Sequence, residues 1–134
     1  MKFHLSIITP NKVLLQDEVD EVIIPTTSGD VGILANHAPL LSQISSGELL
    51  IKKGDKQESM VINGGFLEMS QNNLSILADY AINTKDVDLE KTRKAKERAE
   101  KLMKEKISDV DYAELEKEFA RALAELNVAK KYRP

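Results

Sequence analysis

The spacing of apolar residues changes once along this chain, close to residue 85. Before that point apolar and polar residues alternate, as at Phe3, Leu5 and Ile7, which is the period-two pattern of a half-buried strand. After Asp86 apolar residues recur every three or four positions, as they do in an amphipathic helix. The chain is therefore predicted to have an α+β fold in which strands come first and helices follow, without alternating strand–helix units.

The strand part consists of short apolar runs separated by turn-forming residues. Lys53–Lys56 and Gln71–Asn73 have the composition of hairpin tips, because Gly and Asn adopt left-handed backbone geometry readily. Frequent turns between short strands predict a sandwich or a barrel. The pair Gly64–Gly65 lies inside a strand-like run, which predicts a bulge or a close approach of two backbones.

Two helical stripes follow, the first from Leu89 to Ile107 and the second from Tyr112 to Ala129. Between them, Ser108 with Asp111 resembles a capping box. The short break predicts an antiparallel hairpin. Because each stripe is narrow, the hairpin must pack on the β domain or on another protein. The pattern leaves open whether that docking is permanent or conditional.

Charge separates the same two parts, which we take as a β domain at residues 1–84 and a helical domain at residues 85–134. The first part holds five Lys, no Arg and ten acidic residues, whereas the second holds ten Lys, four Arg and twelve acidic residues. Interleaved charges of both signs are typical of solvated helix surfaces. The basic residues lack aromatic neighbours that could stack on bases, so we expect no nucleic-acid binding.

The residue types argue against catalysis. The chain has no Cys, which excludes disulfides, thiolate metal sites and cysteine nucleophiles, and its two histidines, His4 and His37, are not spaced as metal ligands. There is no phosphate-binding loop or dinucleotide fingerprint. No apolar run approaches the roughly 20 residues that span a bilayer. We therefore expect an interaction protein without metal or cofactor, which meets a membrane only through a partner.

The most distinctive segment is Ser28–Pro39, in which two glycines frame an acid, and a His and a Pro close the run. The glycines allow positive φ, and Pro39 limits the residue before it to extended geometry. These restrictions predict a shaped turn that presents Asp30, Asn36 and His37.

A resemblance to a known family depends on the order and spacing of five segments. They are Gly29–Pro39, Gly64–Met69, Leu74–Ala78, Asp109–Ala113 and Ala120–Ala124. With these segments in this order, the chain resembles the epsilon subunit of bacterial F-type ATP synthases over essentially its whole length. Ala35 stands where many members have Pro, and Met69 stands where Val is usual.

The resemblance implies a flattened β-sandwich of about ten strands followed by an antiparallel two-helix hairpin. It also implies a place in the central stalk, between the gamma subunit and the ring of c subunits, at the cytoplasmic face of the bacterial plasma membrane. The sandwich would couple gamma to the ring during ATP synthesis by ion-driven rotation. The hairpin would inhibit ATP hydrolysis when it extends toward the alpha and beta subunits. The subunit would have no catalytic residues of its own.

Two sets of contact residues follow from the resemblance. Asp30 is expected to face the loops of the ring, and His37 is expected to lie near gamma. The whole docking set is Asp30, Val31, Gly32, Ile33, Leu34, Asn36, His37 and Pro39. The basic residues expected to meet an acidic segment of beta by charge-assisted hydrogen bonds are Arg93, Arg98, Lys117, Arg121, Lys130 and Lys131.

Some bacterial members of the family bind ATP on the folded hairpin through an Asp-x-x-Arg-Ala motif. The matching positions here are Asp88, Lys91 and Thr92, so that Lys replaces Arg and Thr replaces Ala. Lys does not reproduce the planar fork that a guanidinium offers to a phosphate, and Thr is larger than Ala where an adenine would lie. We therefore expect nucleotide binding at these residues to be weak or absent.

Two other functions stay open from the residues alone. One is a free β-sandwich adaptor protein that uses its helical hairpin for constitutive dimerisation. The other is an enzyme that acts on a small molecule through Asp30 and His37, although no supporting base is evident for that pair.

Overall fold

The computed structural model describes residues 1–105 and 109–133 of the chain. The strands of that part are β1 (Phe3–Ile8), β2 (Val13–Val19), β3 (Glu21–Thr26), β4 (Gly29–Leu34), β5 (Leu40–Gln43), β6 (Ser46–Lys53), β7 (Lys56–Ser70) and β8 (Asn73–Asn83). A single 3-10 turn at Thr84–Asp86 then leads to the helices α1 (Leu89–Glu105) and α2 (Asp109–Ala129). The capping box predicted at Ser108 lies outside the described residues.

The strands form one continuous sheet that folds over on itself. Its order is β2-β1-β8-β7-β6-β3-β4, with β5 paired to β7. The pair β1–β8 is parallel, and the other pairs are antiparallel. Residues from along the whole sheet share one apolar core, in which Phe3, Ile24, Leu49, Ile62 and Leu74 are completely buried. A sheet that encloses a single core forms two facing layers, which confirms the predicted β-sandwich.

β7 and β8 belong to both layers. The first half of β7 pairs with β6 and its second half with β5, while β8 runs beside both halves. Met60 and Ile62 face the core before the glycine pair Gly64–Gly65, whereas Leu67 and Met69 face it afterwards. Since these sets differ by an odd number of residues, the inward side of the strand changes at the glycines. The predicted count of about ten strands is slightly wrong, because the described residues form eight strands, two of which serve both layers.

Gly65 permits this change of side through a close approach of two strands. Its φ is +114°, and a Cβ added to it would lie 2.0 Å from the carbonyl oxygen of Leu77. The register between β7 and β8 nevertheless continues without a shift, from Asn63 opposite Tyr80 to Gly65 opposite Ala78. Of the two alternatives predicted for the glycine pair, the close backbone approach is the one observed.

The helical hairpin packs on the outer side of the first half of β7. α1 lies along α2, and α2 makes the main contacts with β6 and β7. A second apolar cluster, here called the docking cluster, joins the two domains. Its members are Val61, Val87, Ala124, Val128 and Ala129, all buried. The prediction of one narrow stripe is therefore wrong for the last turns of α2, which are buried against both α1 and the sandwich.

Candidate functional site

The segment predicted as a turn is largely the edge strand β4, which lies at one end of the sheet and pairs with β3. Gly29 has the expected left-handed φ of 111°, whereas Gly32 lies in extended strand. At the tip between the strands, the Thr26 hydroxyl donates to the Gly29 carbonyl at 2.6 Å and accepts from the Ser28 amide at 3.2 Å. These hydrogen bonds fix the strand tip beside Asp30.

Most of the predicted docking residues are accessible along this edge and in the turn that follows it. The exposed ones are Asp30, Gly32, Leu34, Asn36 and Pro39. Val31 and His37 are half-buried. Ile33 is the exception, because alternate residues of β4 face inward and its side chain is completely buried in the core. Ile33 therefore cannot touch a partner, and its inclusion among the docking residues is corrected.

The turn after β4 is braced from a distant loop. Asn36 has a left-handed φ of 64°, and its amide donates to the side-chain oxygen of Asn72 at 2.7 Å. The His37 ring nitrogen Nδ1 lies 2.7 Å from the carbonyl oxygen of Ala38. Since this hydrogen bond goes to backbone and not to a carboxylate, the geometry does not support a catalytic pair with Asp30.

A row of large apolar side chains, half-buried at Ile8 and exposed at its other members, crosses four adjacent strands of the sandwich. Leu77 of β8 lies opposite both Phe66 of β7 and Ile8 of β1. Ile8 in turn lies opposite Val13 of β2. Directly opposed residues point to the same side of a sheet, so these four form one surface, the apolar row. Val13, Phe66 and Leu77 are each 54% exposed. Contiguous exposed apolar surface of this kind marks an interaction site.

The sequence prediction missed the apolar row, although a signal for it was present. In a strand with one solvent-exposed side, apolar and polar residues alternate. The pairs Ile7–Ile8, Phe66–Leu67 and Ile76–Leu77 break that alternation. One member of each pair is buried in the core, so the other places an apolar side chain on the outer side.

The middle of α2 contacts the sandwich through an aromatic ring. The guanidinium of Arg121 lies over the ring of Tyr80, 4.8 Å from its centroid, and the Tyr80 hydroxyl donates to Glu125 at 3.1 Å. Burial, reinforced by the charge of Glu125, raises the pKa of Tyr80 to about 12. Burial also raises the pKa of Glu125. Arg121, which was predicted to meet beta, is thus engaged with the sandwich while the hairpin is docked.

The residues that follow α2 hold a carboxylate of β6. Lys131 Nζ donates to one oxygen of Glu48 at 2.9 Å, and the Tyr132 hydroxyl donates to the other. The Ser59 hydroxyl also donates to that second oxygen, at 2.7 Å. Burial alone would raise the pKa of Glu48, but these three hydrogen bonds outweigh it and hold that pKa below its usual range. The hydrogen bond to Glu48 raises the pKa of Lys131.

Arg133 binds the linker between the two domains. Its guanidinium donates to the backbone carbonyls of Thr84 at 2.7 Å and Lys85 at 2.9 Å, and also to that of Val87. We call Lys131–Arg133, together with Glu48 and the linker Thr84–Val87, the tail clamp. Sequence reasoning assigned only Lys131 of this set, and to a different partner.

The other basic residues predicted to act in the hairpin remain at the surface of the docked form. They are Arg93, Arg98, Lys117 and Lys130. Lys117 lies 3.9 Å from Glu114 on the same helix, an exposed pair that contributes little stability. These side chains are accessible to a partner without undocking.

Two of the three residues aligned with the nucleotide motif have structural roles in the docked hairpin. Asp88 caps α1 by accepting a hydrogen bond from the Lys91 amide at 3.1 Å, and Thr92 is only 6% exposed. A shallow depression of about 320 Å³ touches Asp88 and Lys91 but not Thr92. The docked hairpin therefore offers no cleft in which the three side chains converge.

Within the described ranges, no group of three His, Cys, Asp or Glu side chains is arranged to hold a metal ion. In the same residues, no helix combines the length and apolar character needed to cross a bilayer.

Family models cover nearly the whole chain in two adjoining pieces. Residues 2–84 match the β-sandwich domain of the ATP synthase delta/epsilon chain. Residues 85–130 match the long α-helix domain of the same chain.

Curated relatives give the same result. The chain is 38% identical over 125 residues to the ATP synthase epsilon chain of Nitratidesulfovibrio vulgaris, covering 93% of each protein. It is 35% identical over 130 residues to the sodium-ion-specific ATP synthase epsilon chain of Propionigenium modestum, covering 97% of this chain and 95% of that one.

Among solved structures, the chain is similar to one in the Euglena gracilis mitochondrial ATP synthase assembly of OSCP, F1 and c-ring. The TM-score is 0.75 at 25% identity, covering 98% of this chain and 80% of the other. A chain of the Tetrahymena thermophila mitochondrial ATP synthase central stalk and c-ring shares the fold. Its TM-score is 0.56 at 17% identity, over 64% of this chain and 69% of that one.

Proposed function

The chain belongs to the delta/epsilon chain family of ATP synthases, as a non-catalytic epsilon chain, and we propose that it couples the gamma subunit to the ring of c subunits. The likeness to a chain in an F1 and c-ring assembly supports a place in the central stalk. Family membership favours this function over a free dimeric adaptor.

The proposal rests on a difference between two surfaces of the sandwich. One surface is covered by the chain's own hairpin through the docking cluster. The other, the apolar row, is left exposed. A subunit that joins a stalk to a ring needs a surface that stays available to its partner whatever the hairpin does.

We assign the apolar row to gamma. Phe66 and Leu77 are large, lie side by side and are more than half exposed, which are the properties of residues that dominate a protein–protein interface. Leu41, on the adjacent strand β5, is 72% exposed and lies opposite Glu68, two residues from Phe66 on β7. It extends the same surface toward the turn that contains His37.

The edge strand β4 is the proposed contact with the ring. Asp30 is exposed beside a tip that Thr26 fixes by hydrogen bonds, so the backbone that carries its carboxylate is held in one place. A rigid edge transmits torque with little loss to loop motion. Val31, Gly32 and Leu34 accompany Asp30 along the strand, and Asn36, His37 and Pro39 continue the surface.

The hairpin is the proposed regulator of ATP hydrolysis. Its docking cluster is built from Val and Ala residues and is much smaller than the sandwich core, which also contains Leu, Ile and Phe residues. A weakly held element is suited to exchange between two positions. When extended, it would present Arg93, Arg98, Lys117, Arg121, Lys130 and Lys131 to the alpha and beta subunits.

The proposed location is the cytoplasmic face of the bacterial plasma membrane, reached through the complex. Coupling to protons or to sodium ions is a property of the ring, so a sodium-specific relative does not assign the ion used here.

Deletion of the chain after Asp86 tests the regulatory proposal. We expect the sandwich, which has its own closed core, to assemble into the head–stalk complex and the ATPase activity of that complex to rise. Complexes that assemble normally and show no gain in hydrolysis would remove the inhibitory function.

For ATP itself we expect weak or absent binding, since Lys91 and Thr92 depart from the motif and Thr92 is buried. Isothermal calorimetry of the isolated chain with ATP measures this directly, and tight binding would contradict the expectation.

A further inference from the structure

The tail clamp holds the hairpin at two places at once. Lys131 and Tyr132 bind Glu48 on the sandwich, and Arg133 binds the carbonyls of the linker between β8 and α1. That linker is where the chain must turn if the hairpin is to leave the sandwich. Three consecutive residues therefore join the sandwich to the linker about which the hairpin would turn.

Glu48 is placed to receive such a tail. Its side chain is only 11% exposed, whereas that of Lys131 is 58% exposed. A carboxylate withdrawn from water needs hydrogen-bond donors, and two of the three that it has come from the tail. When the tail leaves, Glu48 keeps Ser59 and must take the remainder of its hydrogen bonds from water.

Ser59 connects the two halves of the clamp. Its hydroxyl donates to Glu48 and also lies 2.7 Å from the hydroxyl of Thr84, the first residue of the linker. The Thr84 carbonyl is in turn bound by Arg133 at 2.7 Å. The polar contacts therefore form a closed circuit from tail to sandwich to linker and back to the tail.

We propose that the tail clamp is the latch of the docked hairpin, and that its two halves open together. The hinge cannot turn while Arg133 holds its carbonyls, and Arg133 cannot move away without drawing Tyr132 and Lys131 from Glu48. Partial opening would leave Glu48 or the linker carbonyls without their donors. The effect on hydrolysis in the complex follows only if the proposed regulatory function is correct, whereas the latch itself is a property of the isolated chain.

Spin labels on the isolated full chain test the latch. The chain has no Cys, so cysteines placed at the exposed positions Lys56 and Lys101 take a single pair of labels, one on each domain. Glu48→Gln keeps the shape of the side chain and removes its charge, and Arg133→Gln removes the linker contacts. We expect each to increase the population of long label distances about tenfold, because charge-assisted hydrogen bonds are lost.

The matched control is Lys130→Gln. It makes the same loss of charge as Lys131→Gln one position earlier, at an exposed side chain outside the clamp. We expect Lys131→Gln to open the hairpin. Lys130→Gln should show the same label distances as the parent chain. The thermal unfolding of the sandwich should be the same in all variants, which separates undocking from misfolding.

Concerted opening predicts that Glu48→Gln and Arg133→Gln give the same open distances. Because Ser59 and Thr84 connect the two halves, loss of one half should also weaken the other, so the double variant should open less than the product of the two effects. Distances equal to those of Lys130→Gln in both single variants would overturn the latch. Single variants that open to different distances would overturn the concerted release, and effects that multiply would overturn the coupling of the two halves. Variants that open in isolation while ATPase inhibition in the complex stays unchanged would uphold the latch and contradict the regulatory function.

Discussion

The ammonium of Lys131 lies 2.9 Å from a carboxylate oxygen of Glu48, 83 residues earlier in the chain. This contact connects the second residue after α2 to the strand β6 of the sandwich. Lys131 therefore has a partner within the molecule while the hairpin is docked. Any partner in the complex that attracts Lys131 competes with Glu48 for it.

Two carboxylates at the hairpin interface should respond to pH in opposite directions. The docked state lowers the pKa of Glu48, so the contribution of Glu48 to docking is present above the ordinary glutamate value of 4.5 and is lost as the pH falls through the lower docked value. The docked state raises the pKa of Glu125 by burial, so docking gains as the pH falls from neutral through that raised value. Docking should therefore be tightest in the region of the ordinary glutamate pKa.

The charged and titratable groups that face these carboxylates are Lys131 and Tyr132 at Glu48, and Tyr80, Arg121 and Lys91 at Glu125. The pKa values of Lys131, Tyr132 and Tyr80 are raised from values that already lie far above this range, so we assign the acid profile to the two carboxylates. Label distances measured against pH give the profile. Glu48→Gln should remove the loss of docking at low pH. Glu125→Gln should remove the gain in docking as the pH falls from neutral. Profiles of both variants that match the parent chain would contradict this assignment.

Gly65→Ala should destabilise the sandwich strongly. Gly65 has φ +114°, and the added Cβ would lie 2.0 Å from the Leu77 carbonyl oxygen. We expect a loss in unfolding free energy of about 3 kcal/mol or more, measured by urea denaturation. Gly54→Ala is the matched control, since Gly54 also has a positive φ but has nothing within 4 Å of an added Cβ. It should lose about 1 kcal/mol, and equal losses would show that the close approach is not what requires glycine at residue 65.

Phe66→Ala should weaken binding to gamma with little effect on folding. The side chain is 54% exposed, so its removal leaves no cavity in the core. Truncation of a central aromatic residue of an interface costs about 2 kcal/mol or more, or roughly thirtyfold in affinity. Titration with purified gamma measures the loss. Lys56→Ala, at the exposed β6–β7 tip, serves as the control and should bind as the parent chain does. Unchanged affinity for Phe66→Ala would separate the apolar row from gamma.

Lys117→Ala and Arg121→Ala should differ in a way that depends on docking. Lys117 is exposed and its ion pair is with Glu114 of the same helix, so its loss should relieve ATPase inhibition and leave the hairpin distances unchanged. Arg121 lies over Tyr80, so its loss should loosen docking by about 1 kcal/mol as well as remove a contact with beta. ATPase assays of reconstituted complexes, read beside label distances of the isolated variants, separate the two effects. ATPase inhibition that is unchanged in both variants would exclude Lys117 and Arg121 from the proposed contact with beta.

The order of strands and helices was predictable because each depends on local periodicity. Alternation at Phe3, Leu5 and Ile7 marks β1, and the spacing from Leu89 onward marks α1. The continuity of β7 through Gly64–Gly65 was not predictable from the same rule, because the inward side changes there through left-handed glycine geometry.

The candidate surfaces were predictable in part. The exposed edge with Asp30 follows from its turn-forming neighbours, but burial of Ile33 follows from the pairing of β4 with β3, which is a non-local property. The tail clamp was beyond prediction, because Lys131 and Glu48 meet only once the whole sandwich has formed and the hairpin has folded back onto it.

The central claim is that leaving the sandwich is what allows the hairpin to inhibit hydrolysis, and a reversible lock tests it most directly. Val61 and Val128 both belong to the docking cluster, and the chain has no Cys, so Val61→Cys with Val128→Cys introduces the only cysteine pair. Mass spectrometry establishes the yield of the bond. ATPase activity is then compared in the same complexes before and after reduction. We predict faster hydrolysis when the bond holds the hairpin docked, and a return to inhibition when it is reduced. Equal rates in the locked and reduced complexes would contradict the account.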